Sequence, residues 1–212
     1  MGELKGKSAL VTGGTRGIGR ATALALADMG ADVAINFFRS RESAKATAEE
    51  IQKRGVKALA VRANVGNSEQ IPKMFEEVKG AFGKLDILVS NAALGHFGNV
   101  LDVNDKMWDV AMSTNAKALL YCSQEAVKMM PEGGRIVALT SLGSHRYIPG
   151  YAAIGEIFPS YDEIIRESTR RTPLGRVGTP EEVANVAAFL CTGRASWVSG
   201  QVIIVDGGYT LG

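Results

Sequence analysis

Cysteine and histidine are nearly absent from this 212-residue chain, with two of each. Cys122 and Cys191 cannot build a disulfide framework; both sit in helix-like stretches and read as small buried hydrophobes of a reducing compartment. His96 and His145 stand alone in loop-like sequence, with no cysteine or acidic partner at metal spacing, so no metal site is expected. No apolar run reaches transmembrane length. No run of like charge exceeds a few residues, and 24 Lys+Arg face 22 Asp+Glu, which argues against a nucleic-acid surface or a polybasic membrane patch. Met1-Gly-Glu-Leu-Lys-Gly has no signal-peptide core, and position 6 lacks the Ser or Thr that myristoylation requires. These absences lead to the expectation of a soluble, cytoplasmic protein with no membrane and no nucleic-acid partner.

What is present is a globular composition, 46% hydrophobic and 22% charged, enough for one domain over residues 1–212 with a real core. Apolar runs of strand length (residues 8–12, 32–37, 56–61, 86–90 and 135–140) alternate with helix-period segments. Ile18, Ala21, Ala25, Leu26 and Met29 recur at helical spacing, as do Ile71, Phe75, Val78 and Phe82. Residues 43–54 read as a charged-faced helix, and residues 105–130 as one long helix. Thr179-Pro180-Glu181-Glu182 has the form of a capping box, opening a helix whose apolar face is Val183, Val186, Ala187 and Leu190. Residues 202–205 read as a last strand, stopped by Asp206-Gly207-Gly208. Met129, Met130 and Trp108 are expected in core or interface packing. Alternation of this kind, with continuously apolar strands, predicts an α/β fold: a doubly wound parallel sheet covered on both faces by helices. The rhythm fails between residues 145 and 179, where no convincing strand occurs and the only helical stretch is short, around 161–169.

Thr12-Gly13-Gly14-Thr15-Arg16-Gly17-Ile18-Gly19 follows the first strand and opens the first helix. Gly13 permits a tight turn, Gly17 a close approach of backbone N–H groups to a pyrophosphate, and Gly19 close packing of the helix, whose N-terminus carries partial positive charge. Strand, loop and helix in this order make a dinucleotide site the expected reading. Where an NAD site places an acid for the ribose 2′-hydroxyl, the second strand ends in Asn36-Phe37-Phe38-Arg39-Ser40-Arg41, and Arg16 lies in the glycine loop. Cations there favour a 2′-phosphate, hence NADP(H) over NAD(H).

With these features, the chain resembles the short-chain dehydrogenase/reductase family over nearly its whole length. The marks are the 12–19 loop, Asn64-Val65 after strand three, Ser90-Asn91-Ala92-Ala93 after strand four, Asn115 in the long helix, Ser141 after strand five, and Val205-Asp206-Gly207-Gly208. The resemblance implies a single-domain Rossmann-like fold. It also implies that Gly13, Thr15, Arg16, Gly17, Ile18, Gly19, Arg39, Ser40, Asn64, Val65, Asn91, Ala92 and Ala93 surround NADPH, and that the chain forms a homotetramer. Within the family, Asn115-Ala116-Lys117-Ala118, Ser141-Leu142-Gly143-Ser144 and Arg146-Tyr147 look most like NADPH-dependent type III bacterial enoyl-[acyl-carrier-protein] reductases. A ketoreductase would place its tyrosine about thirteen residues after Ser141, where Ile154 stands; Tyr151 comes earlier, as in the enoyl pattern.

The chain departs from that pattern at the lysine. Phe158 occupies the position seven after Tyr151, and Gly155 the position four after it. The chain therefore lacks one helix–strand unit after Gly155. Either a segment of a longer protein is omitted, or the polypeptide is truly shortened and the last strand closes the gap; with no compensating sequence change in view, the first is favoured. The chemistry implied by the resemblance is reduction of a trans-2-enoyl thioester carried by acyl-carrier protein in fatty-acid synthesis. Tyr151 would be the donor to the developing enolate oxygen, with Tyr147 a second donor or wall. Ser141 would orient substrate or tyrosine, and Asn115 would hold a water or main chain beneath the site. An unperturbed tyrosine titrates near about 10, so without the lysine the chain should be a poor catalyst. The alternatives are reduction of 3-oxoacyl thioesters or other carbonyls, and NADP(H) binding without turnover.

Overall fold

The structure, a computed structural model, describes residues 2–95, 100–141 and 161–211. Five parallel strands, β1 (Ser8–Val11), β2 (Asp32–Phe37), β3 (Ala58–Arg62), β4 (Ile87–Ser90) and β5 (Arg135–Ala138), form one sheet in the order β3-β2-β1-β4-β5. Between them run α1 (Gly17–Asp28), α2 (Arg41–Gln52), α3 (Gln70–Phe82), α4 (Asp105–Met112) and α5 (Ala118–Lys128); α6 (Tyr161–Arg171) and α7 (Pro180–Leu190) follow β5. The doubly wound α/β expectation holds. Both sheet faces are covered. On one, Ala9, Val11, Val33, Ile35, Ile87 and Val89 pack with α1, α2 and α7. On the other, Leu10, Ala34, Val61 and Leu88 pack with α3 and α5. That double burial is why the strands read as unbroken apolar runs rather than alternating ones.

The expected capping box forms. The Glu182 N–H donates to Thr179 Oγ1 at 3.4 Å, and the Thr179 N–H donates to Glu182 Oε2 at 2.8 Å. Both cysteines are buried and free, and burial pushes their thiols up to about 12. Met129 and Met130 are core residues.

Four sequence expectations are corrected. The long helix is not uniform: a π turn, Ser113–Lys117, separates α4 from α5. The buried face of α7 is Ala184, Ala187 and Ala188 rather than Val183, Val186 and Leu190. The helix packs along α1, whose contact side is also alanine-rich, and small side chains let the two backbones approach. Trp108 is 61% exposed in the single chain and lies outside the core. Residues 202–205 form no strand, and Val202 and Ile204 are about 60% and 59% exposed. The reason is the sheet order: β5 is an edge, and among the described residues no strand lies beyond it to offer a ladder of hydrogen bonds. The last strand therefore does not close the gap left after Gly155.

At the N-terminal end of the sheet, Asp86 ties β1 to β4. Its carboxylate accepts from Lys7 Nζ at 2.9 Å, the Ser8 N–H at 3.0 Å and Lys84 Nζ at 3.1 Å. Burial pushes its pKa up, but these donors outweigh it and hold the carboxyl below its ordinary value. A depressed folded-state pKa contributes stability at pH values above the unfolded value of 3.8, lost as pH falls through the folded value. Asp86→Asn should therefore flatten the acid limb of a stability-against-pH curve measured by urea melts between pH 2 and 6. An unchanged acid limb would refute this. A second expectation concerns the unpaired run. Val202→Thr should change unfolding free energy by less than about 0.5 kcal/mol, whereas Leu88→Ala, at a fully buried position, should cost about 2–5 kcal/mol. A loss above 1 kcal/mol at Val202 would mean that residues 202–205 are paired after all.

Candidate cofactor and reaction site

In a doubly wound sheet the crevice opens where neighbouring connections run to opposite faces, at the carboxyl ends of the strands. Here that point lies between β1 and β4, the strands followed by the 12–19 loop and by residues 91–95. The two segments are latched together. Thr12 Oγ1 accepts from the N–H groups of Asn91 at 2.9 Å and Ala92 at 3.0 Å. Asn91 Nδ2 returns to the carbonyls of Thr12 at 2.9 Å and Gly13 at 3.2 Å. The glycine requirement follows from the latch. Gly13 has φ +64°, and a Cβ there would stand 3.0 Å from Ala92 Cα. A Cβ on Gly19 would run into Asn91 Nδ2 and the Gly13 carbonyl.

Gly17 differs. Its φ is +52°, and a Cβ would meet nothing within 4 Å. Beside it, Arg16 caps α1 with extended backbone and makes no side-chain capping bond. The first turn of α1 thus lacks a side-chain cap, in contrast to the closed box at α7. An uncapped helix start over a glycine bend fits a pyrophosphate.

The remaining expected residues divide between rim, core and regions outside the description. Thr15 and Ile18 are half-buried in the loop and first turn. Arg16, Arg39, Ser40 and Ala93 are exposed, and Arg39 lies over the Phe38 ring with its guanidinium 5.6 Å from the centroid. Among the described residues, Arg16, Arg39 and Arg41 carry no ion pair. β1 and β2 are neighbours, so Arg16 and Arg39 follow adjacent strands on the same edge. Asn64 closes a turn, its Oδ1 accepting from the Gly66 N–H at 3.0 Å. The Val65 side chain is 6% exposed and belongs to the core. Ala92 is half-buried beside the latch.

On the reaction side, Asn115 sits in the π turn and holds Leu94 by both groups: Oδ1 accepts from its N–H at 2.8 Å, and Nδ2 donates to its carbonyl at 2.9 Å. Both bonds are to the Leu94 main chain. Ser141 is exposed, three residues past β5. Tyr147 and Tyr151 lie outside the described residues, as do His96 and His145. Among the described residues no group of three His, Cys, Asp or Glu could hold a metal ion. Sequence reading missed Thr12, whose hydroxyl is the hub of the latch, and misjudged Asn36. Asn36 is 2% exposed and is turned inward beneath the loops rather than outward to a ribose. Its burial could have been anticipated from its place in an otherwise apolar strand.

A family model described as Enoyl-(Acyl carrier protein) reductase matches residues 13–157 and 154–210. The two matched stretches meet at residues 154–157, where the sequence breaks its βα rhythm after Gly155. A 3-oxoacyl-[acyl-carrier-protein] reductase of Staphylococcus aureus is 33% identical over 239 residues, covering 95% of this chain and 97% of that protein. Versicolorin reductase 1 of Aspergillus parasiticus is 36% identical over 255 residues, with 97% of each covered. Both matches run longer than the 212 residues here, so these relatives carry an internal stretch that this chain lacks. Among solved structures, a short-chain dehydrogenase from Burkholderia cenocepacia in complex with NADP superposes with a TM-score of 0.89 at 29% identity, covering 98% of this chain and 99% of that one. The chain belongs to the short-chain dehydrogenase/reductase family.

The latch yields a direct expectation. Gly19→Ala should lower stability by about 1–3 kcal/mol through overpacking and abolish dinucleotide binding by displacing Asn91. Thermal melts and titration calorimetry read the two effects, and wild-type binding in the variant would show that the contact with Asn91 is dispensable.

Proposed function

We propose that this chain binds NADP(H) through the 12–19 cradle and acts as a reductase of the carbonyl group of 3-oxoacyl thioesters carried by acyl-carrier protein. The observation that carries the reading is the uncapped start of α1 above an open Gly17, braced by Asn91 and Thr12. The cradle residues Gly13, Thr15, Gly17, Ile18 and Gly19 would hold the pyrophosphate. Arg16, Arg39 and Ser40 would meet a 2′-phosphate, and Asn64, the Val65 main chain, Asn91, Ala92 and Ala93 would wall the cleft. The unpaired arginines support NADP(H) over NAD(H), because a phosphate gains charge-assisted hydrogen bonds that a bare ribose does not. The relative named for 3-oxoacyl reduction supports the substrate class.

Bound cofactor supplies the hydride. The chain's own part is to position and to donate a proton. The Tyr151 hydroxyl gives its proton to the oxygen that becomes negative, Ser141 orients the thioester's keto oxygen, and Asn115 keeps the Leu94 main chain in place at the cleft wall. With Gly155 and Phe158 at the two positions where a lysine would favour the phenolate, slow turnover is expected.

Two other readings have specific support. The matching family model's description and the short Ser141-to-Tyr151 spacing favour reduction of trans-2-enoyl thioesters. The missing lysine favours NADP(H) binding without turnover. Half-exposed Leu120, Tyr121 and Val127 on α5 support assembly into a homotetramer. No described helix is long and apolar enough to cross a membrane, in keeping with a cytoplasmic enzyme.

NADPH oxidation followed at 340 nm with acetoacetyl and with crotonyl thioesters separates the readings. The expected result is NADPH loss with the 3-oxo substrate, reduced by about 10²-fold or more in Tyr151→Phe. Oxidation with crotonyl thioester alone would replace the carbonyl reading with the enoyl one. Tight NADPH binding by calorimetry with neither substrate reduced would leave a binder without turnover.

A further inference from the structure

Asn36 is a polar side chain buried in an apolar strand, 2% exposed, and its contacts reach both loops that flank the expected adenosine half of the cofactor. On one side its backbone carbonyl accepts from the Gly14 N–H at 3.1 Å, and its Oδ1 stands 3.5 Å from the Gly13 N–H, a long contact. On the other, its Nδ2 donates to the Ala63 carbonyl at 3.0 Å, one residue before Asn64, with the Val61 carbonyl at 3.5 Å. A buried amide is costly to desolvate unless it is paired; here the pairing spans the ends of β1 and β3 across β2. An apolar residue would suit the strand better and would leave the Ala63 carbonyl without this donor.

We propose that Asn36 is a positioning residue for the 2′-phosphoadenosine half of NADP(H). It sets the spacing between the glycine bend and the 63–66 loop without touching the ligand. This rests on the NADP(H) reading above and adds to it a determinant lying beneath the site. The amide is suited to the task because it donates to one loop and accepts from the other, which neither an aspartate nor a leucine does.

The test uses 2′,5′-ADP as probe, which samples the adenosine half alone, with calorimetry run well below each variant's Tm so that only folded protein is titrated. Asn36→Ala is expected to weaken 2′,5′-ADP binding about tenfold. Asn36→Thr, whose hydroxyl again both donates and accepts, should recover most of that loss. Thr47→Ala serves as the stability control. Thr47 is 1% exposed and its hydroxyl donates to the Ser43 carbonyl within α2, so this variant should lower Tm and leave the 2′,5′-ADP Kd unchanged. Should the alanine variant be insoluble, Asn36→Ser against Asn36→Leu gives the same comparison, with the serine form binding more tightly. A wild-type Kd in Asn36→Ala with only a lowered Tm would overturn the proposal and leave the NADP(H) reading intact. Failure of wild-type protein to bind 2′,5′-ADP would end both.

Discussion

The rest of the site depends on one set of hydrogen bonds, those between Thr12 and the residues after β4. Two parallel strands that feed helices on opposite faces pull apart at their carboxyl ends, and the crevice they leave has no secondary structure of its own. Thr12 Oγ1 accepts two backbone N–H groups from the far side, and Asn91 Nδ2 reaches back to two carbonyls of the bend. Buried polar networks are stable only when every member is satisfied, and this one is satisfied by being reciprocal. It also leaves no volume at Gly13 or Gly19 for a side chain. The glycines therefore serve two purposes: some let the backbone turn, and others let Asn91 in.

The sheet is asymmetric about that crevice. β1, β2 and β4 are buried on both faces, whereas β5 is an edge with Ile136 42% exposed. The family relatives carry an internal stretch that this chain lacks, and the two stretches of the family match meet where the rhythm fails. The consequence reaches about fifty residues past Gly155. Residues 202–205, apolar and β-branched, have the composition of a strand and no neighbour to pair with, so they remain exposed. The half of the molecule that would hold a dinucleotide is compact and latched, while the half that would carry out proton transfer depends on residues around Tyr151.

How far the structure could be read from sequence varied with the range of the forces involved. The five strands and most helices were legible because double burial demands continuous apolar runs, and one-sided burial demands a 3.6-residue period. The Thr179 capping box was legible because both of its bonds lie within four residues. Three features were not. The π turn around Asn115 reflects a bidentate hold on Leu94, twenty-one residues away. The rotation of the α7 face from valines to alanines reflects how closely α1 comes alongside. Asn36 reads as a substitute for a ribose-binding acid until its side chain is seen turned to the Ala63 carbonyl.

From sequence alone, then, came the α/β alternation, the glycine bend opening a helix, the arginines at the strand edge and the break after Gly155, because each is written in contiguous residues whose local physics admits few alternatives. Tertiary structure alone decided that residues 202–205 are no strand, that Asn36 lies beneath the loops and that Thr12 joins two of them. A strand exists only if a neighbour supplies its hydrogen bonds, and a buried amide takes its role from whichever distant carbonyls the fold brings within reach.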